Sequence, residues 1–434
     1  MNVEVLNILL SDRPIGKLFR FANGTTSPII RFVADDKFSK DPHQAVVSVS
    51  MRAANPEQQA SLWADITAPI FNGEEGRLPV FFQSLLPEGV FRTHLAQQRN
   101  CAEDDHFGLF AACGGDLPGA LKAMPVQVER EELARLVTQE NDALEMSVMA
   151  DPLPQGVSIS GMQPKVGLIE KGGHYVARTR LGVTRIIGKL PQTDRLMLPE
   201  VEHLSLQLAQ AAGANVCEHK LVPLEKLRFE HGYTIGGSSN FLAVTRFDRE
   251  EGKRIHCEVF GQALAIDPRQ KYTGATYAAM AGLMMRYPES LGQPAVHELM
   301  RLITINELLG NYDAHLQNFA LLYRDGVTPE LSPAYDIVAW SVYIKGQGNA
   351  LALYRNEDGT PASRTLGPAS VRAMCNAVQI PEKPVQRVIK DTVRLAFERW
   401  PDMIAASSLM DNQKQVLMKH FYAHPFVQQL AAKA

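Results

Sequence analysis

The sequence predicts an α+β fold in which a sheet-rich amino-terminal part precedes a helical carboxy-terminal part. Segments of strand-like composition alternate with turns up to about residue 250, and from about residue 255 the apolar residues recur with a helical period. The 434 residues suggest two or three packing units, and 45% hydrophobic content is ample for their cores. We therefore predict an N-terminal subdomain (1–147), an N-lobe sheet (148–250) and a C-lobe (251–434).

The N-terminal subdomain is predicted to combine strands with helices. The turn-rich segments SDRPIG and FANGTTS flank its first strands, and residues 115–124 are interpreted as a connector rich in Gly and Pro. The predicted strands are residues 3–10, 27–33 and 126–128. The predicted helices are residues 57–65, residues 84–98 with Leu86, Val90, Phe91 and Leu95 on one face, and a polar helix from Glu129 onward.

The N-lobe is predicted to be a small antiparallel sheet with one helix across it. Residues 148–165 are rich in Pro, Gly and Ser and are interpreted as a loop. The helix runs from about Pro199 to Ala212, and Gly213 follows its end. The predicted strands are the segments VGLIE, YVART, TRIIGKLP, HKLVPL and NFLAVTRFD.

The C-lobe is predicted to be all-helical except for one interruption. Within residues 319–337 an Asp-Gly turn separates two extended segments, a pattern typical of a β-hairpin. The predicted helices are residues 274–286, 293–311, 368–378, 384–400 and 409–422.

Charge and cysteine content exclude several classes of function. The net charge of −3 gives no basic tail for nucleic acid, so a partner would have to bring this chain to DNA. No secretory signal and no run of about 18 apolar residues is apparent, so we expect a cytoplasmic protein with no membrane association. The cysteines form no CxxC pair, which argues against a zinc site or a disulfide framework: Cys101, Cys113, Cys217, Cys257 and Cys375.

Three polar residues around the predicted hairpin have the spacing of a phosphoryl-transfer site. Asp313 and Asn318 form an Asp-x4-Asn pair, and Asp336 follows on the far side of the hairpin, where we expect it on a strand. Phosphoryl transfer needs a carboxylate to receive the proton of the attacking hydroxyl, and oxygen ligands for Mg²⁺. On its own the spacing is weak evidence, because Asp is also common at helix ends and turns. We interpret His315, inside this segment, as structural rather than as an acid or base.

A lysine near the end of a predicted strand supplies a second element of such a site. Lys189 follows the apolar residues of TRIIGKLP, and Glu200 and Glu202 lie in the next helix. Either glutamate could pair with the lysine and hold it against phosphate groups. A solvent-exposed surface charge is the ordinary alternative for a single lysine.

The phosphate-binding loop is not of a standard type. Neither GxGxxG nor GxxxxGK[ST] is present, and the candidate loop is Ser158-Ile-Ser-Gly-Met-Gln-Pro-Lys165. Successive backbone N–H groups around one glycine can still bind phosphate oxygens. A connecting turn is the simpler interpretation of this segment alone.

Six segments follow one another along the chain: SISGMQPKVGL, IIGKLP, LAVTRFDR, EVFGQALAIDPRQKY, NYDAHLQNFALL and LSPAYDIV. In this order they resemble the HipA kinases, the toxins of bacterial HipBA toxin–antitoxin modules. RPIGKLFRFANG, FFQSLLPEGVFR and HFGLFAACGGDLPGALKAM resemble that family's N-terminal subdomain, so the resemblance covers about residues 5–400. It implies a bilobal, protein-kinase-like fold and an ATP-dependent serine/threonine protein kinase that uses ATP and Mg²⁺.

The resemblance also implies roles for individual residues. Asp313 is implied as the catalytic base, Asn318 and Asp336 as Mg²⁺ ligands, and Glu202 rather than Glu200 as the partner of Lys189. Phe247 resembles the hinge aromatic beside adenine, and the EVFGQALAID segment resembles the activation loop. The residues implied to bind ATP are Ser158, Ser160, Gly161, Met162, Gln163, Lys165, Lys189, Glu202, Thr245, Phe247, His315, Gln317 and Asn318.

Ser158 corresponds to the loop serine that HipA kinases autophosphorylate, which expels the loop and inactivates the enzyme. Ser147 and Ser160 remain alternatives for the modified residue. Two positions depart from the family pattern: Thr245 stands where Glu is common, and Pro164 stands where an acidic residue is frequent.

The resemblance implies partners as well. HipA proteins bind HipB, a helix-turn-helix antitoxin that attaches them to operator DNA, and they phosphorylate aminoacyl-tRNA synthetases such as glutamyl-tRNA synthetase. Two other functions remain open: a small-molecule phosphotransferase with a similar Asp, Asn and Asp set, and a catalytically silent co-repressor.

Overall fold

A computed structural model describes most of the chain. The described residues are 2–22, 27–41, 43–129, 145–146, 149–153, 156–159, 163–177, 183–228, 234–250 and 252–432. Of the predicted polar helix that begins at Glu129, only Glu129 and Glu145–Met146 are among them, and Glu145–Met146 form a strand rather than a helix. Ser147, Ser160, Gly161 and Met162 lie outside the described residues.

The N-terminal part contains a sheet with helices packed around it. Strand order is β3-β2-β1-β4, antiparallel throughout, with β5 parallel to β1. The strands are β1 Asn2–Leu10, β2 Arg13–Ala22, β3 Ile29–Ala34, β4 Leu121–Pro125 and β5 Glu145–Met146. The helices are α1 Asp36–Ser39, α2 Pro56–Ala64, α3 Val80–Gln83, α4 Gly89–Arg99 and α5 His106–Cys113.

Three predictions for this part were wrong in detail. The segment SDRPIG is largely strand β2, because Ser11 and Asp12 take positive φ angles and close a tight hairpin. Residues 126–128 do not form the predicted strand; strand β4 lies just before them, almost entirely within the predicted connector. Helix α4 begins only at Gly89, so Leu86 precedes it, and Val90 is 48% exposed instead of sharing the buried face.

The next part is a six-stranded sheet, and its predicted strands and helix are confirmed. Strand order is β10-β7-β6-β8-β11-β9, antiparallel except between β10 and β7. Its helix, α6 Leu198–Ala211, packs against β11 and β9. The strands are β6 Lys165–Lys171, β7 His174–Ala177, β8 Ile186–Lys189, β9 His219–Pro223, β10 Leu227–Arg228 and β11 Asn240–Thr245.

The C-terminal part is mainly helical. One of its helices, α9 Gly292–Leu309, is buried along most of its length and ends where Gly310 takes a φ of 66°. The helices are α7 Phe260–Ala263, α8 Tyr277–Met285, α9 Gly292–Leu309, α10 Pro368–Ala377, α11 Glu382–Ala406, α12 Asp411–Ala423 and α13 Pro425–Ala431.

The expectation of an all-helical C-lobe was wrong, because this part also contains short strands. The hairpin is confirmed: β15 Ala320–Tyr323 pairs antiparallel with β16 Glu330–Leu331. β14 His256–Val259 adds a third strand, which the sequence did not reveal because its partner β15 lies about sixty residues away. Two ribbons complete the strands: β12 Arg249–Glu250 with β13 Lys253–Arg254, and β17 Tyr354–Arg355 with β18 Pro361–Ala362.

The hydrophobic cores cross the predicted domain boundaries. Val157 and Ile159 pack in the N-terminal core, and Val46 and Val49 pack in the core of the helical part. The boundaries at 147/148 and 250/251 stay a prediction. In the described residues all five cysteines are free thiols, and no helix is long and apolar enough to cross a membrane.

Candidate active site

The loop after α9 presents Asp313 to solvent. Two buried asparagines shape it: Asn311 donates its backbone N–H to the Asn306 carbonyl at 2.7 Å and its side-chain amide to Asn306 Oδ1 at 3.0 Å. Asn311 Oδ1 then accepts the backbone N–H of Asp313 at 3.3 Å. The turn is therefore fixed from within, and the Asp313 side chain keeps 41% of its surface exposed.

Asp313 and Asn318 meet within this loop. The Asn318 side-chain amide donates to the Asp313 carbonyl oxygen at 2.7 Å, which leaves Asn318 Oδ1 as its atom for a cation. His315 Nε2 lies 3.7 Å from Asp313 Oδ1. Burial lowers the pKa of His315 to about 4, so the imidazole is neutral near pH 7, in keeping with a structural role.

Asp336 lies beyond the hairpin but not on a strand, contrary to expectation. Strand β16 ends five residues earlier, and the φ of 52° at Asp336 is incompatible with a β-strand. Its carboxylate forms an ion pair with Lys189 through Oδ1, and Oδ2 lies 3.9 Å from Lys165 Nζ. The side chain thus joins the helical part to the six-stranded sheet.

Lys189 pairs with Glu202, not with Glu200. The ammonium group of Lys189 donates to Glu202 Oε1, and the Glu202 side chain is fully buried. Glu200 instead accepts hydrogen bonds from Ser238 and from Asn240. Burial lowers the pKa of Lys189, and the nearby Glu202 carboxylate opposes that shift.

The described residues of the candidate phosphate loop are held by backbone carbonyls. Ser158 is only 3% exposed; its hydroxyl donates to the Leu85 carbonyl, and its N–H donates to the Asp116 carbonyl at 3.1 Å. Gln163 donates its amide to the Leu190 carbonyl at 3.1 Å. Ser158 is therefore anchored to the N-terminal part of the chain.

A cavity of about 130 Å³ brings many of the predicted residues together. Its apolar wall includes Val244 and Val259, and the rings of Phe247 and Tyr335 lie 5.4 Å apart beside it. The predicted residues that line it are Ser158, Lys165, Lys189, Thr245, Phe247, Gln317 and Asp336. Those outside its lining are Gln163, Glu202, Asp313, His315 and Asn318.

The side chains here fit a hard cation and a polyphosphate. Gln317 Oε1 is buried and accepts no hydrogen bond from the described residues. Carboxylate and amide oxygens of Asp336 and Asn318 are ligands of the type that Mg²⁺ prefers, and Mg²⁺ takes its remaining ligands from phosphates and water. The described residues contain no group of three or more His, Cys, Asp or Glu side chains that could hold a metal. A Mg²⁺ site that is completed by phosphates and water does not require such a group.

A buried ionic network that the sequence interpretation missed adjoins the cavity, and its members Arg246 and Asp248 belong to the cavity lining. Asp116 accepts from Arg249 at 2.9 Å, and Asp248 accepts from Arg246 and Arg249 at 2.8 and 2.7 Å. Arg254 Nη2 lies 3.3 Å from Asp116. Burial opposes ionisation of Asp248, but the neighbouring arginines prevail and hold its pKa well below the usual range. The signal was present in the Arg-Phe-Asp-Arg run, which was interpreted only through its aromatic residue.

Tyr272 is a second residue that the sequence interpretation missed. Its hydroxyl donates to Asp313 Oδ1, and its ring packs edge-on against His315 with centroids 4.8 Å apart. Tyr272 is the last residue of EVFGQALAIDPRQKY, one of the segments that resemble the HipA kinases, so its location in the chain was known from the sequence. Its contact with Asp313, 41 residues away, was not.

Family models match most of the chain. Residues 6–124 match the HipA N-terminal domain, and residues 157–400 match the HipA-like C-terminal domain. The chain is similar to two Sinorhizobium fredii proteins that are named as candidate kinases. It is 29% identical to Y4dM, over 92% of this chain and 90% of that protein, and 28% identical to Y4mE, over 92% and 95%.

A solved structure has a similar fold. The matching chain belongs to the Shewanella oneidensis toxin–antitoxin complex of HipA, HipB and operator DNA. The TM-score is 0.65 at 19% identity, over 98% of this chain and 99% of that one. At this identity the likeness concerns the mixed α+β fold alone.

Proposed function

The chain belongs to the HipA family, and from this premise we propose that it is a kinase that transfers the γ-phosphate of ATP to serine or threonine of a protein. The carrying observation is the position of Lys189, whose ammonium group contacts Glu202 on α6 and Asp336 of the helical part beside one cavity. A lysine on a sheet, a glutamate on a helix and a metal-binding aspartate are the parts that protein kinases use.

ATP would bind in the cavity between the sheet and the helical part. The apolar wall around Phe247 suits adenine, and Thr245, the last residue of β11, also lines the cavity. The ammonium groups of Lys165 and Lys189 suit the phosphates. Asn318 and Asp336 would hold Mg²⁺, which screens the phosphate charge when bound.

Asp313 would act as the base. Its exposed carboxylate can receive the proton of a serine or threonine hydroxyl while that oxygen forms a bond to the γ-phosphorus and the bond to ADP breaks. Asn318 supports this geometry, because its amide is bound to the Asp313 backbone and keeps the two side chains in one loop.

Ser158 is proposed as the autophosphorylation site that silences the enzyme. In the described conformation its hydroxyl is buried against Leu85, so the loop must leave this position before the serine can receive a phosphate. A phosphate adds a charge of about −1.5 to −2, which could not return to that buried place. Phosphorylation would therefore keep the loop out and the ATP site incomplete.

We further propose a HipB-like helix-turn-helix antitoxin as the partner that neutralises this protein and attaches it to operator DNA. The net charge of −3 supports an arrangement in which the partner, rather than this chain, contacts the DNA phosphates. The proposed protein substrate is an aminoacyl-tRNA synthetase such as glutamyl-tRNA synthetase, as the family resemblance implies.

The test is incubation with labelled ATP and Mg²⁺, first of the protein alone and then with cell extract. We expect label on the chain and on a protein band, and loss of both with Asp313→Asn at unchanged Mg-ADP affinity. Label on small molecules alone would favour a small-molecule phosphotransferase. Absence of any transfer, with retained operator repression, would favour a silent co-repressor.

A further inference from the structure

The two carboxylate oxygens of Asp313 have different surroundings. Oδ1 accepts the Tyr272 hydroxyl and is the oxygen nearest to His315. Among the described residues no group donates to Oδ2. One oxygen is therefore held by the protein, and the side chain that carries the other keeps 41% of its surface exposed.

Tyr272 is held in place although 38% of it is exposed. Its ring packs against His315, and the Lys271 ammonium group lies 5.8 Å from the ring centroid. The Lys271 carbonyl accepts the Leu316 N–H at 3.3 Å, which ties this segment to the catalytic loop. Burial and the Asp313 contact both raise the pKa of Tyr272, so the phenol remains a donor.

The support continues into the N-terminal part. Lys271 Nζ lies 3.0 and 3.2 Å from the carboxylate oxygens of Glu88, the residue before α4. Both side chains are largely buried, with 18% and 24% of their surface exposed. Contacts thus run without a break from Glu88 through Lys271 and Tyr272 to Asp313.

We propose that Tyr272 is a positioning residue for Asp313, and that the Glu88–Lys271 ion pair of the N-terminal part supports it. By holding Oδ1, Tyr272 fixes the carboxylate plane and directs Oδ2 toward the acceptor hydroxyl. This inference rests on the proposed kinase function. A base that is oriented by a further hydrogen-bonding group is a recurrent arrangement in active sites.

The opposite role would be that of a plug, in which the phenol stands where the acceptor hydroxyl must bind. The structure favours positioning, because no described residue donates a hydrogen bond to Oδ2 and because the ring of Tyr272 packs against His315 and lies below the ammonium group of Lys271. A plug has to leave for each turnover, and these contacts oppose departure.

The first experiment compares Tyr272→Phe with the wild type. Both proteins carry Ser158→Ala, so that self-modification cannot stop turnover. ADP release from Mg-ATP, with water as the phosphate acceptor, gives kcat and KM, and titration with Mg-ADP gives the nucleotide affinity. We expect kcat to fall about tenfold or more, because small misplacements of a catalytic group are costly, with Kd for Mg-ADP within about twofold. The matched control is Tyr422→Phe, a 40% exposed tyrosine on α12, which should match the wild type.

The second experiment is a double-mutant cycle of Glu88→Gln and Lys271→Met. Each change should lower kcat. The kcat of the double variant should be no lower than that of the more impaired single variant, because both changes break the same Glu88–Lys271 ion pair. Lys271→Arg should retain most of the turnover. A purely structural pair would instead change thermal stability while kcat per folded molecule stayed constant, which contradicts the inference.

Two outcomes separate this inference from the proposed function. If Tyr272→Phe has unchanged or faster turnover while Asp313→Asn is inactive, the positioning role is wrong and the kinase function stands. If Asp313→Asn retains wild-type turnover, the proposed function itself fails.

Discussion

Asp116, in the N-terminal part, accepts a hydrogen bond from Arg249 Nη2 at 2.9 Å across 133 residues of sequence. Both side chains are buried, and Arg246 shares the same carboxylate at 3.4 Å. This contact joins the N-terminal part to the segment after β11, in which Arg246 and Asp248 line the cavity of about 130 Å³. The N-terminal part is therefore a structural component of the site.

Asp116→Ala is expected to destabilise the protein strongly. It leaves the buried guanidinium groups of Arg246 and Arg249 with Asp248 but without their second anion, and loss of one partner from a buried ionic network costs about 3–5 kcal/mol. Urea denaturation measures the free energy of unfolding. The control is Asp391→Ala, which removes an exposed i,i+4 pair with Arg387 and should cost below about 0.5 kcal/mol. Equal effects of the two changes would contradict the assignment.

Lys189→Met is expected to abolish phosphotransfer and weaken Mg-ADP binding. Charge-assisted hydrogen bonds contribute about 1.5–3 kcal/mol, so Kd should rise about tenfold to a hundredfold. Isothermal titration calorimetry measures the change. Lys220→Met on the same sheet is the matched control, because Lys220 is 55% exposed, contacts Glu170 and the ring of Tyr175, and does not line the cavity. If the Kd for Mg-ADP is unchanged in Lys189→Met, then Lys189 does not contribute to nucleotide binding.

Glu258 is expected to make stability depend on pH. Burial raises its pKa to about 7 from an ordinary 4.5, although the hydroxyls of Ser48 and Tyr323 and the N–H of Val49 partly oppose the shift. His256, stacked on Tyr323, has a pKa of about 4 and stays neutral above that pH. The folded state binds the Glu258 proton more tightly than the unfolded chain, so stability is lost as pH rises from about 4.5 to 7.

Glu258→Gln removes this loss. The free energy of unfolding of the variant relative to wild type should rise between pH 5 and pH 8 by as much as about 3 kcal/mol. Urea titrations at the two pH values measure it. Glu330→Gln, at an exposed site on β16, should show no such change. A wild-type pH dependence that persists in Glu258→Gln would assign it to other groups.

Ser158→Ala is expected to prevent self-modification and keep the kinase active. Mass spectrometry after incubation with Mg-ATP should find the phosphate on the peptide that contains residue 158, at that serine. Ser147→Ala and Ser160→Ala are the controls and should remain modified. Phosphate on either of those residues in the wild type would transfer the proposed role to it.

The sequence predicted the local elements well where their pattern is self-contained. Five strands of the six-stranded sheet, α6 and the hairpin follow from periodicity and turn residues within each segment, whereas β10 was not predicted. Strand β14 and the Asp116–Arg249 contact depend on partners far away in the chain, and no local pattern reports them. The prediction of a strand at Asp336 was wrong because the positive φ of this residue depends on its surroundings in the fold, which the residue type does not reveal.

The candidate site was predicted in part for the same reason. Asp313 and Asn318 share one loop, so their contact follows from spacing. The partner of Lys189 was open between Glu200 and Glu202 until the family resemblance favoured Glu202, because both lie on the same helix two residues apart. Tyr272 was missed because a tyrosine carries no charge pattern and its contact arises only when its segment folds over the catalytic loop.

The register between β6 and β8 sets Lys165 directly beside Lys189, and Asp336 counterbalances both ammonium groups. Asp336 cannot serve a cation fully and neutralise two lysines at once. A polyphosphate that pairs with the lysines releases the carboxylate of Asp336, and a cation that takes this carboxylate removes its ion pair with Lys189, which keeps Glu202. Nucleotide and Mg²⁺ should therefore bind cooperatively, each raising the affinity of the other by the same factor. The same exchange would break the ion pair of Asp336 with Lys189, which joins the helical part to the six-stranded sheet.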